Sequence, residues 1–262
     1  MRTHHHSLFV PILTSLIGAA AMAMGRGADS PWFSAAESAN VGFLAIGARY
    51  DQAKRNVKIE GAEGLPELMS RSLYGSLSCD VASWLTIAGG AGQSALKIDE
   101  STSYGDEDTL WMAAIRVNLW GFPLTEPAFL TCHIRFDADL SYWQYKAGLD
   151  EGDADWNETR GALVVSAERY AENWDQNPAV CPYSLVFYAG CVYSQLDGKI
   201  HLVPERAAMA GKSTLSISED TSFGLIGGID LFISHNLSIG GEVRAFDDVK
   251  NYSYTGSLVL HF

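Results

Sequence analysis

Charged side chains that recur at every second position can line one face of a β-strand, and several runs in this chain do so. His133, Arg135, Asp137 and Asp139 share one parity, while Leu130, Cys132, Ile134, Phe136, Ala138, Leu140 and Tyr142 share the other. Arg116 with Asn118, Arg160 with Glu168, Asp230, and Glu242 with Arg244 hold the equivalent parity in their own segments. Acids and bases set out in this way can do one of two things. Enclosed, they pair as a structural network, because a lone buried charge is costly. Open to water, they line a narrow conduit. The structural network is the expectation.

Other candidate chemistry is weaker. Asp153, Asp155 and Asn157 alternate as at the start of a calcium loop, but Glu158 and Val164 stand where Gly and Glu are needed. A solvated acidic loop is expected there and at Asp106-Glu107-Asp108. Cys79, Cys132, Cys181 and Cys191 form no CxxC and suggest no convincing disulfide, so thiols that are buried or face lipid are expected. No metal site, cofactor motif, phosphate loop or nucleophile elbow occurs, and none is expected.

The elements that position these residues are strands. From Asn40 onward, period-two segments alternate with polar or Gly/Pro-rich stretches. They fall near 40–50, 71–80, 84–96, 109–120, 129–145, 159–172, 181–196, 221–233, 236–247 and 252–262. Connections after the even-numbered segments are short; Asp51 to Ser70 and Leu196 to Thr221 are the longest. The last segment puts Tyr252, Tyr254, Gly256, Leu258, Leu260 and Phe262 on one face and Ser253, Thr255, Ser257, Val259 and His261 on the other. An apolar row facing lipid and a polar row facing a lumen, with turns short on one side and loops long on the other, is the pattern of a transmembrane barrel. A closed antiparallel β-barrel of about ten strands is expected, eight or twelve being the alternatives.

The whole chain has 262 residues and a formal net charge of −13, with only 19% charged residues. That acidity excludes nucleic acid as a partner. Arg2, the apolar stretch Leu8 to Met24 and Ala21-Met22-Ala23 have the order of a secretory signal. The expected organisation is a cleaved signal at 1–23, a periplasmic lead-in at 24–39 and a barrel at 40–262, exported to the outer membrane.

On the signal, the paired segments Ser222 to Phe246 and the ending Leu258-Val259-Leu260-His261-Phe262, the chain resembles the bacterial outer-membrane β-barrel proteins, including the small OmpA-, OmpX- and OmpW-like and porin-family barrels. The resemblance implies that Tyr254, Leu258, Leu260 and Phe262 form the signal read by the barrel-assembly machinery. It also implies membrane lipid and lipopolysaccharide as neighbours, and the barrel is expected to be monomeric. Asp137-Ala138-Asp139 has the spacing of one carboxylate pair of the omptin proteases, but the DxH pair that such chemistry needs is absent. The expected function is non-enzymatic, a structural or surface-contact role through acidic outer loops. A narrow channel for small solutes is the alternative, and a surface enzyme the last.

Overall fold

The computed structural model describes residues 43–61, 64–82, 84–98, 103–124, 132–149, 152–170, 184–219, 222–234, 237–246 and 251–262. The signal at 1–23, the lead-in at 24–39 and Cys181 lie outside the described residues. Alternation of apolar and polar residues, rich in β-branched and aromatic types, gives strands. In chain order these are β1 (Phe43–Ile59), β2 (Glu67–Ala82), β3 (Leu85–Ile98), β4 (Glu107–Leu124), β5 (Cys132–Leu149), β6 (Gly152–Tyr170) and β7 (Ser184–Leu202). A one-turn-and-more helix α1 (Pro204–Ala210) follows, then β8 (Thr214–Glu219), β9 (Phe223–Ser234), β10 (Leu237–Phe246) and β11 (Tyr252–His261). Among the described residues no helix is long and apolar enough to cross a membrane.

Each strand pairs antiparallel with its neighbours, and β11 returns to β1 from Ala45↔His261 to Lys54↔Tyr252. The sheet therefore closes and has no free edge along its length. β8 and β9 are two parts of one descending stroke. Both pair with β7, but the register passes from Asp197↔Ser218 to Tyr193↔Phe223, so four steps along β7 meet five on the stroke. One extra residue is accommodated at that break. Counted as strokes, the barrel has ten strands, as the sequence predicts.

The eighth stroke also changes the barrel's width. Above the break β8 pairs with β1 through Val57↔Glu219, Lys58↔Ser218 and Ile59↔Ile217. Below it, β10 and β11 stand between β9 and β1. Ten strands encircle the lower barrel and eight encircle a neck above it. The upper end of β11 is held beneath the neck, where Asn56 N donates to Asn251 Oδ1 at 2.6 Å.

The outward rows are apolar: Leu77, Ile115, Leu140, Leu163, Phe187, Leu225 and Val243 are all exposed, Leu163 by 62%. Tyr50, Trp111, Tyr142, Tyr193 and Tyr254 edge this belt on the loop side, and Trp84, Trp120 and Phe262 edge it towards the chain's C-terminus. Trp111 to Trp120 spans nine residues, about 23 Å of height at a rise of ~3.3 Å and a tilt of ~40°. That matches the apolar band of a membrane barrel.

Three stretches expected from sequence to be loops differ in the structure. Much of Asp51 to Ser70 and Leu196 to Thr221 is strand, and so is the acidic run Gly152 to Glu158. Charge had marked these stretches as loop, but on the closed sheet acids at alternate positions either reach water outside or meet arginines inside. β5, β6 and β7 have 18, 19 and 19 residues, against the 9–11 that cross a bilayer. The excess carries them about 20 Å beyond the belt.

Candidate functional site in the barrel interior

The interior is built in layers from the inward rows. In the neck lie Val57, Leu68, Leu96, Trp156, Ile200 and Ile217, all buried in one apolar cluster. From Trp156 four aromatic rings pack in series. Tyr145 stacks on Trp156 at 4.8 Å and on Trp143 at 6.0 Å, and Trp143 meets Tyr74 edge-on at 5.1 Å. Eight strands leave an interior just wide enough for side chains to fill, and here bulky apolar ones fill it.

Under the rings the filling becomes ionic. The Arg160 guanidinium lies over Trp143, 4.8 Å from the ring centre, and donates through Nε and Nη2 to Glu158. Glu158 also accepts from Arg55 at 3.3 Å and from Ser194 Oγ at 2.8 Å. Arg55 reaches Glu219 as well, beside a stacked Phe246 ring at 3.6 Å. One level lower, Glu242 accepts from Arg49 at 3.1 Å, from Arg244 and from the Tyr188 hydroxyl at 3.1 Å. The Tyr188 hydroxyl fits because residue 228 is glycine; a Cβ there would lie 2.3 Å from it.

The residues expected from sequence to line the lumen lie on inward rows. Arg116 donates to Asp139 at 2.7 Å. Asp137 accepts from Asn118 at 3.1 Å and from Ser166 at 3.5 Å. Arg135 is buried and His133 half-buried on the same strand. Glu168 accepts from Ser184 at 2.7 Å, and Asp230 is buried near the lower end. Arg160, Glu242 and Arg244 sit at the centre as described. Sequence reading missed Arg49, Asp51, Arg55, Glu158 and Glu219, although Arg49, Asp51 and Arg55 continue the inward parity of β1 without a break. That continuation was the available signal.

Of the other candidates, Asp137 and Asp139 are held by Asn118, Ser166 and Arg116 inside the barrel, away from the rim that proteolytic carboxylates would occupy. Ser238 Oγ lies 3.0 Å from His261 Nε2, and both are buried, His261 against the Phe232 ring at 5.3 Å. Among the described residues, no group of three His, Cys, Asp or Glu is placed to hold a metal ion. Cys79, Cys132 and Cys191 are free thiols, Cys191 on the outer face. Tyr254 and Phe262 are exposed on the outward row of β11, with Leu258 and Leu260 half-buried on the same row.

The rim outside the belt is polar and internally paired. Lys54 meets Glu67 at 2.7 Å and Arg71 meets Glu107 at 3.2 Å, with the Arg71 guanidinium 4.6 Å from the Tyr104 ring centre. Lys212 joins Glu60 across the gap between the β1 tip and the loop before β8.

A closed barrel with an apolar exterior banded by aromatics, a packed ionic interior and an even number of strokes is a transmembrane β-barrel of the bacterial outer-membrane class. No protein-family model matches the chain, and no curated protein matches it. Solved structures align with it over most of its length. The translocator domain of the autotransporter NalP from Neisseria meningitidis shares 9% identity, with 97% of each chain covered and a TM-score of 0.37. Ail, the attachment invasion locus protein of Yersinia pestis, in complex with the heparin analogue sucrose octasulfate, shares 15% identity over 85% of this chain and 99% of that one, with a TM-score of 0.31. The transport unit of the autotransporter AIDA-I from Escherichia coli shares 10% over 90% and 95%, with a TM-score of 0.32. At scores this low the class follows from the chain's own strands and faces.

Proposed function

We propose that this protein is an integral outer-membrane barrel with a structural and surface-contact role, not a pore. The observation that supports this most directly is the neck. Eight strands close around a packed apolar cluster directly above a lumen lined by paired charges. Water and ions have no continuous polar path through such a stack, because an ion entering the apolar layer would lose its hydration with nothing to replace it. What the barrel offers outside the bilayer is a rigid extension of β5, β6 and β7. Its outward rows, Asp153, Asp155 and Asn157 on β6 and Gln195, Asp197 and Lys199 on β7, are exposed or half-exposed and polar. On this reading the chain is exported by its N-terminal signal, is inserted by the assembly machinery through the β11 row ending at Phe262, and stands as a monomer among lipid and lipopolysaccharide.

Planar-bilayer recording of the refolded barrel tests the reading. No stepwise conductance is expected, while vesicles carrying the barrel should adhere to a cell, matrix or polysaccharide surface, and charge reversal on the β6–β7 extension should abolish that adhesion. Regular conductance steps whose size changes in Glu242→Ala would overturn it in favour of solute passage.

A further inference from the structure

We infer that the ionic interior contains a binding site for one small oxyanion, of the inorganic phosphate or sulfate kind, formed by Arg49, Arg160 and Arg244. A cavity of about 80 Å³ lies between these strands, and its wall includes Arg49, Arg116, Arg160 and Arg244 against only two carboxylates, Asp139 and Glu242. All four arginines are more than nine-tenths buried. Part of each fork is committed to the protein. Arg49 Nη2 and Arg244 Nη2 both donate to Glu242 Oε1, Arg116 Nε donates to Asp139, and Arg160 uses Nε and Nη2 on Glu158.

Three donors are left over. Arg49 Nε, Arg160 Nη1 and Arg244 Nη1 are buried with no acceptor in the protein. Arg160 Nη1 is 3.8 Å from Asp51 Oδ2, beyond hydrogen-bond reach. A buried donor left unmet on a charged group is expensive, and three around one cavity, beyond those that Glu158, Glu242 and Asp139 already satisfy, call for a further acceptor. Guanidinium groups match an oxyanion because its several oxygens can each take an N–H in a charge-assisted bond. Size sets the upper limit. The cavity has room for several waters or one bare ion, and is well below the roughly 300–1,000 Å³ of a pocket for a larger organic ligand. The inference is independent of the contact role proposed above, since the barrel interior can hold an ion whether or not the rim binds anything.

Because the neck is packed, the experiment loads the site during folding. The full barrel is refolded from denaturant into detergent with labelled inorganic phosphate and then stripped of free label. Retention that saturates near one phosphate per chain is expected. Arg49→Lys and Arg244→Lys keep the charge but lose the spare donors, and each should weaken retention at least tenfold, while Arg71→Lys on the outer rim should leave it unchanged. No saturable retention, retention untouched by both interior variants, or equal loss in Arg71→Lys would each overturn the site. Should the interior variants fail to fold, the wild-type barrel crystallised with selenate decides. An anomalous selenium peak within hydrogen-bond range of Arg49, Arg160 and Arg244 supports the site, and waters alone there refute it.

Discussion

Glu158 carries more of the interior than any single residue named from sequence. Its carboxylate accepts from Arg160, Arg55 and Ser194, and truncating it strands the buried Arg160 guanidinium and takes from Arg55 one of its two carboxylates. Glu158→Ala is expected to destabilise the barrel by about 3–5 kcal/mol, the usual cost of breaking a buried pair on one side only, as read by urea unfolding in detergent micelles. Gly228→Ala tests the neighbouring contact. A methyl 2.3 Å from the Tyr188 hydroxyl must push the ring away from Glu242, so hydrogen-exchange protection should drop in β7, β9 and β10 and remain unchanged in the neck. At the rim, the Lys212 ammonium bonded to Glu60 holds that carboxyl below its ordinary value of 4.5. A depressed carboxylate pKa means the contact is complete above the ordinary range and is lost as pH falls through the lowered value. The Glu60 carboxyl should therefore titrate at lower pH than a free glutamate, and Lys212→Met should move it back towards the ordinary midpoint, leaving only the smaller lowering by Ser216.

At the scale of the element, each strand presents two different solvents with two different faces. Leu163 points outward from β6 in the middle of the belt, and its neighbour Val164 is buried inside. Leu163→Arg should cost about 2–4 kcal/mol of folding free energy in vesicles, the penalty for a charge near the bilayer midplane. The same arginine placed at Thr159, four residues towards the rim on the same face, should cost about 0–1 kcal/mol. Folding titrations in vesicles compare the two, and equal costs would contradict the height assigned to the belt. Strand edges were harder to read from sequence than strand faces. β1 was expected to stop at Tyr50 and β6 to start at Thr159, because Asp51, Arg55 and Glu158 resemble loop residues when counted as charges. Their partners, Arg160, Glu219 and Arg55, lie on strands far off in the chain, and only closure brings them together.

For the molecule as a whole, the lipid-facing belt decides the conditions under which it folds. The outward apolar side chains of the whole belt, Leu77, Ile115, Leu140, Leu163, Phe187, Leu225 and Val243 among them, leave more apolar surface exposed than a soluble monomer carries. The mature chain is expected to aggregate in detergent-free buffer, and to give a β-sheet circular dichroism spectrum with a heat-modifiable gel shift in micelles or vesicles. A folded, monodisperse species in plain buffer would remove the membrane assignment. Where the barrel widens from eight strands to ten, β10 and β11 span only the lower part, and their upper ends are tied to β1 by Asn251 on Asn56 and by Phe246 under Arg55.

Periodicity alone determined that this chain forms a ten-stroke barrel and which residue of each neighbouring pair faces lipid, because a strand's side chains alternate whatever the strand touches. It also placed Arg116, Asp137, Arg160, Glu242 and their companions on the inward parity. What it left open was how far each strand runs, which charges meet and whether the lumen is open. Those depend on register between segments up to two hundred residues apart and on one extra residue between β8 and β9. The resulting return of β8 to β1 narrows the ring to eight and brings Val57, Trp156 and Ile217 together across it, an outcome of closure that no local pattern encodes.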